Sequence, residues 1–260
     1  MNTTSYPSDL SIAQWNILEP LLPSKSSTGR PREHALHDIV NAITYVLYEG
    51  CRWRSLPKDY PAWQTVYSWF RRWRKDGTLE TIRRHLVAEM RQKLERTAEP
   101  SAGIIDTQTV KTASYAHRDA GYDSAKKIKG RKRSIVTDTQ GFLLAVVIMS
   151  ASSSENQCGF LTLRRLHECY TGIGKVWCDA GFKKTLIVFA LSLWQIVLEV
   201  VPRTEKGFVP LARRWVVERT FAWLSSARRL AKDYERLPAS HQAFVELAMI
   251  RLLLRRLAAK

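Results

Sequence analysis

Cysteine is scarce in this 260-residue chain, and its pattern is unpaired: Cys51, Cys158, Cys169 and Cys178 include no CxxC pair. That spacing argues against a zinc ribbon and a disulfide framework, and it fits a reducing, intracellular compartment. Long hydrophobic runs are lacking too. The longest, LIVFALSLWQIVLEVV at 186–201, is interrupted by Ser192, Gln195 and Glu199 and is too short to span a bilayer. The opening MNTTSYPSDL has neither a basic n-region nor an apolar h-region, so no signal peptide and no membrane partner are expected. There is no internal repeat, and biased composition is confined to a basic run at 126–133. The deepest deficit is in acidic residues: 24 Asp+Glu stand against 41 Lys+Arg, a formal charge of +17.

What is present is a core-forming composition. Hydrophobic residues make up 45% and aromatics 10%, with nine Trp, which excludes a disordered basic tail protein. The length suits one large domain or two modest ones. The charge is uneven: +4 over 1–100, +4 over 101–150, +1 over 151–200 and +8 over 201–260. A near-neutral segment between basic ones implies a buried middle and flanks that face a polyanion. Nucleic acid is the leading partner; a soluble basic enzyme is the plainer alternative.

The first hundred residues carry helical periodicity. Ser11 and Gln14 form a capping box ahead of Trp15, Leu18 and Leu22. Leu36, Ile39/Val40, Ile43 and Val46/Leu47 mark an amphipathic helix over 35–48 that ends near Gly50. In residues 62–75, Trp63, Val66/Tyr67, Phe70 and Trp73 line one face while Arg71, Arg72, Arg74 and Lys75 crowd the remainder. A further helix carries Leu79, Ile82, Leu86, Met90 and Leu94. A basic, aromatic-rich second helix is what a helix-turn-helix module presents to DNA, and a helical bundle with solvated arginines is the alternative. Residues 1–100 are thus expected to form a helical DNA-binding domain.

Near Pro100 the period changes. Strands are expected at 103–106, at 134–138 and 141–149 around the DTQG turn, at 175–179 and at 197–201. Helices are expected at 155–169, 183–193, 212–231 and 241–258. The order β-ββ-α-β-α-β-α over residues 101–260 describes an α/β domain, a mixed sheet covered by helices.

Three acids occupy informative places. Asp106 ends the first strand and Asp179 the fourth, and functional groups in such sheets gather at the carboxyl ends of neighbouring strands. Glu218 lies amid Val216, Val217 and Phe221, where a carboxylate is costly unless it is paired or binds a metal. Three oxygen donors suit Mg²⁺ or Mn²⁺, and two such ions roughly 3.5–4 Å apart serve phosphodiester displacement. The alternative has the aspartates capping turns and Glu218 pairing with Arg214. Phosphate contacts are expected from Lys126, Lys127, Lys129, Arg131, Lys132 and Arg133, read as a basic loop between the first two strands. Arg228, Arg229 and Lys232 form a second cluster on one helix face, and Arg214 is expected to contact DNA with them.

The stretches LSIAQWNILEPLLP, GRPRE, NAITYVLYEGCRWRSLPKDYPAWQTVYSWFRRWRKDG, IIDTQTVKT, GYDSAKKIKGRKRSIVTDTQG, VWCDAGF, LEVV and RRWVVERTFAWLSSARRLAKDYE run in one order from about residue 9 to the C-terminus. Together they resemble the small DDE transposases of bacterial insertion sequences, the insertion-sequence-five group and its relatives. The resemblance implies an RNase H-like core in which Asp106, Asp179 and Glu218 are the catalytic triad and hold two Mg²⁺ (or Mn²⁺) ions. It implies a helical N-terminal domain that helps recognise the element's ends. It also implies an enzyme of the bacterial cytoplasm and nucleoid that binds terminal inverted repeats, then cleaves and transfers DNA strands. Such an enzyme would be a dimer or higher in the synaptic complex, with double-stranded DNA as its partner. Around the triad glutamate, Arg214 keeps the arginine of the family signature, while Leu211 and Ser225 stand at its tyrosine and lysine positions. Two other functions fit the same residues: a transposase-derived DNA-binding protein with idle catalysis, and a structure-specific nuclease on the same scaffold.

Overall fold

The computed structural model describes residues 6–24, 32–116, 118–182, 184–201 and 215–259. Ser11 opens α1 (Ile12–Leu18) through the capping box with Gln14. Gly50, in the left-handed region at φ 69°, closes α2 (Leu36–Glu49). A connection with a 3-10 turn at Trp53–Ser55 leads to α3 (Trp63–Lys75), which buries Val66, Phe70 and Trp73. Gly77, at φ 79°, makes the corner into α4 (Thr78–Lys93).

The sheet begins at β1 (Ala102–Lys111) and continues through β2 (Gly121–Asp123), β3 (Ile128–Thr137) and β4 (Leu143–Ser150). α5 (Glu155–Cys169), β5 (Lys175–Cys178), α6 (Lys184–Trp194) and β6 (Val197–Val200) follow. The described chain closes with α7 (Trp215–Ser225), α8 (Arg228–Ala231) and α9 (Pro238–Leu257). β1 is central: β3 pairs with it antiparallel and β5 parallel. β4 and β2 pair antiparallel with β3, and β6 lies parallel to β5. The result is a mixed sheet in the order β4-β3-β1-β5-β6, with β2 beside the start of β3. Among the described residues no helix is long and apolar enough to cross a membrane.

The expected boundaries fail in an instructive way. β1 does not stop at Asp106. It continues to Lys111 because β3 pairs with it from Ile104↔Thr137 to Lys111↔Gly130. β3 starts at Ile128, inside the basic run that reads as a loop. The single helix expected at 212–231 breaks after Ser225, where Ser225 and Ser226 turn their hydroxyls back to the carbonyls of Ala222 (2.8 Å) and Trp223 (2.7 Å).

α5 covers one face of the sheet, where Thr162 Oγ1 donates to Ser134 Oγ at 2.7 Å. α9 covers the other, where Arg133 Nε donates to His241 Nε2 at 2.6 Å. α9 is buried along most of its length because α4 and α1 pack on it from outside. Phe70 stacks on Phe244 with ring centroids 4.7 Å apart, and Arg251 reaches the carbonyl of Asp9 at 2.7 Å. The fully buried Arg83 pairs with Glu246 and donates to the carbonyl of Leu143 at 2.6 Å. Arg91 meets the buried Asp138 at 2.5 Å. The helices before residue 100 and the sheet therefore share one continuous core.

His241 sets a pH dependence. Burial, then the charge of Arg133, pushes its imidazole down to about 4, although Nδ1 lies 2.8 Å from Asp233 Oδ1. In the unfolded chain the ring titrates near its ordinary 6.5. The unfolded state therefore takes up the proton first as pH falls. Stability should be fully present above pH 6.5 and should decline by about 3 kcal/mol on acidification to pH 4. Thermal unfolding at pH 7, 6, 5 and 4 tests this, with His241→Gln expected to flatten the decline.

Candidate active site

Asp106 sits at mid-β1, half-buried, opposite Ile135 of β3. Its Oδ1 accepts the backbone N–H of Thr107 at 2.7 Å. Alternation assigns it to the α9 face: Thr107, opposite Ser134, points to α5, so Ile104, Asp106 and Gln108 point the other way. The β1–β5 ladder pairs Ile104 with Trp177. Asp106 and Asp179 each lie two residues further along the chain than that pair, Asp106 within β1 and Asp179 just past the end of β5.

Asp179 follows β5 directly, half-buried, and its Oδ1 accepts the N–H of Gly181 at 3.0 Å. A β-carbon on Gly181 would sit 3.1 Å from that Oδ1 and would collide with Oε2 of Glu155. Glu155, in the first turn of α5 behind the Ser154/Gln157 capping box, thus brings a second carboxylate to the same turn. Sequence reasoning missed it because α5 lies between β4 and β5, away from either aspartate in the chain.

Glu218 is exposed, contrary to the burial its apolar neighbours suggest. The reason is helical phase. Val217, Phe221 and Leu224 face the sheet, whereas Arg219, Thr220 and Trp223 grip the turn between β3 and β4. Arg219 donates to Gln140 O at 2.8 Å and Thr220 to Gly141 O at 2.7 Å. Glu218 stands on the flank of the apolar stripe away from that turn, on a helix that packs against β1 and β3. Among the described residues no three His, Cys, Asp or Glu side chains surround one point. Arg214 lies outside the described residues. The carboxylate oxygens on β1 and after β5 fit a hard divalent cation by donor chemistry.

The cations expected to meet DNA divide sharply. Lys126, Lys127 and Lys129 are exposed around the β2–β3 turn, and Arg71, Arg72 and Lys75 are exposed on α3. Arg74 is half-buried and donates to Ser240 Oγ at 2.6 Å. Lys132 is half-buried too and donates to the carbonyl of Ser153 at 2.7 Å. Arg228 is exposed beside Glu49 (3.3 Å), and Lys232 is half-buried over the Tyr234 ring. Three arginines need correction. Arg131 is fully buried, paired with Asp233 at 2.7 Å and bonded to the carbonyl of Glu235. Arg133 is buried against His241 and the carbonyl of Leu230. Arg229 is buried with Glu235 (2.6 Å) and the carbonyl of Cys51. Arg131 and Arg133 tie β3 to the segment around α8, and Arg229 ties α8 to the connection before α3, since a buried guanidinium requires such partners.

The division makes a prediction. Alanine at Lys126, Lys127 and Lys129 together should leave the melting temperature unchanged. It should reduce the slope of log K against log salt by about 0.9 for each lysine that meets a phosphate. Arg131→Ala should instead lower stability by about 3–5 kcal/mol, because Asp233 is left buried without the guanidinium it pairs with. Salt titrations of DNA binding and thermal melts separate the two effects.

A central strand flanked antiparallel by β3 and parallel by β5, with helices on both faces and an aspartate on β1 and another just after β5, has the form of an RNase H-like core. Within that class the comparison with family models is specific. Residues 97–253 match the transposase DDE domain, and residues 10–83 match the family model described as a transposase of the IS4/5 family. The chain belongs to the DDE transposases of the IS4/5 family, and its substrate is DNA. No curated protein matches the chain significantly.

Proposed function

We propose that the chain binds the terminal inverted repeats of an insertion sequence, cleaves the strands there and transfers them to target DNA. The observation that supports this reading most is that Asp106 on β1 and Asp179 just after the neighbouring parallel strand β5 lie in a DDE-family core. Asp106, Asp179 and Glu218 would hold two Mg²⁺ or Mn²⁺ ions, with Glu218 joining the aspartates from α7. When bound, such ions activate an attacking oxygen and stabilise a leaving one in phosphodiester displacement. The chain's own part is to fix the DNA. Lys126, Lys127 and Lys129 contact phosphates near β1, with Arg228 and Lys232 beyond α7. Arg71, Arg72 and Lys75 on α3 face the terminal repeat. Two ends must be held together, so the working complex contains at least two copies, acting in the bacterial cytoplasm on nucleoid DNA.

The test is strand transfer of a pre-cleaved terminal-repeat duplex with and without Mg²⁺. A joined product that needs the ion is expected. Hydrolysis without joining would indicate a nuclease, and binding without either reaction a DNA-binding protein with idle catalysis.

End recognition has its own test. Deleting residues 1–100 would strip α4 and α1 from α9, so point substitutions are the better probe. Arg71→Ala, Arg72→Ala and Lys75→Ala combined should erode preference for the terminal repeat over a scrambled duplex, by about 1–3 kcal/mol if one arginine reads a guanine edge. Equal loss on both duplexes would assign α3 to phosphate contact alone.

A further inference from the structure

A groove of about 1110 Å³ opens between the connection that precedes α3, the loop after β1 and the segment between α8 and α9. It exceeds the roughly 300–1,000 Å³ of a small-molecule pocket. Arg52, Arg54, Arg118 and Arg236, all exposed, line it. Glu235, the acid among the described lining residues, is neutralised by Arg229. The groove therefore presents net positive charge to whatever enters.

Its aromatic residues separate one polyanion from another. Tyr115 is 49% exposed, and Trp63 and Tyr234 are half-buried on the other two walls. Arg54 lies 5.5 Å from the Trp63 ring and Lys232 5.8 Å from the Tyr234 ring, so cations hold both rings in position. In a duplex the base faces are already stacked on one another. Flat side chains on three walls of a basic groove suit bases whose faces are free, which is how sequence-tolerant single-strand sites are built.

We propose that this groove binds a single-stranded stretch of DNA, its phosphates on the arginines and its bases stacked on Tyr115, Trp63 and Tyr234. The groove begins where β1 ends. Thr112 there bridges to Asp233, and Ala113 donates to the carbonyl of Asp233 at 2.8 Å. From Asp106 to Thr112 is six residues of strand, about 20 Å at the usual rise. A strand parted from its complement at the aspartates would reach the groove within a few nucleotides. Only the source of the strand rests on the cleavage reading; the groove's preference for unpaired DNA does not.

The experiment uses the full-length protein without divalent metal. Fluorescence anisotropy measures binding of a labelled mixed-sequence single-stranded 15-mer and of a 30-base-pair random duplex. Tyr115→Ala and Trp63→Ala are each expected to weaken single-strand binding by about tenfold. Duplex binding should change less than twofold, and Tyr115→Phe, which keeps the ring, should bind the single strand like wild type. An abasic 15-mer should bind as weakly to wild type as the normal 15-mer binds to the alanine variants. Equal losses on both DNAs, or unchanged single-strand binding in both alanine variants, would overturn the proposal. Strand transfer is scored separately, so a protein that transfers strands yet fails this assay refutes the groove and leaves the proposed activity standing.

Discussion

Alanine at Asp106 or Asp179 is expected to reduce strand cleavage and joining by at least about 10³-fold, the loss of several kcal/mol of transition-state stabilisation. Each change removes an oxygen donor, one from β1 and the other from the turn just after β5. Neither should unfold the protein, because both side chains are half-buried rather than enclosed in the core. Affinity for DNA should be largely kept, since the phosphate contacts are proposed for Lys126, Lys127, Lys129 and α3. Glu218→Ala should behave the same way and cost even less stability, because Glu218 is exposed. Single-turnover cleavage assays paired with binding titrations check all three. Near wild-type joining in any one variant would remove that residue from the catalytic set.

The second large effect concerns the fold. Arg83→Ala should destabilise the protein by about 3–5 kcal/mol and lower its melting temperature by roughly 10 °C. Arg83 is fully buried against Glu246 on α9, and burial already pushes the Glu246 carboxyl up. Without the guanidinium that carboxylate would sit uncompensated, and the carbonyl of Leu143 would lose its donor. Replacing both partners, Arg83→Met with Glu246→Leu, should recover much of the loss, because an apolar pair of similar volume carries no desolvation penalty. Thermal melts of the single and double variants decide it. Equal melting temperatures for Arg83→Ala and wild type would mean that this pair does not hold α4 to α9.

Much of this architecture is legible in the sequence because its signals are local. The Ser11 capping box, the stripe of α2 and the span of α5 from Glu155 to Cys169 follow from periodicity and caps that neighbouring residues determine. The aspartates too can be found at the ends of apolar runs. What escapes is decided by partners far along the chain. Arg131 and Arg133 look like part of a solvated basic run, yet Asp233 and His241, about a hundred positions later, draw them into the core. β1 runs past Asp106 through Thr107, Gln108 and Thr109 because β3 pairs with these polar residues, a fact no apolar count reveals. Glu218 has apolar neighbours in sequence, but helical phase turns it outward. Glu155 reaches the turn after Asp179 from another element altogether.

The central claim is that Asp106, Asp179 and Glu218 form a divalent-metal centre on the DDE core. Mn²⁺ binding to the full-length protein with a terminal-repeat duplex, counted by electron paramagnetic resonance of the free ion, tests it most directly. Wild type is expected to take up two Mn²⁺ per chain, and Asp106→Ala and Asp179→Ala to lose that uptake while still holding the duplex. Undiminished Mn²⁺ uptake in both alanine variants would contradict the account.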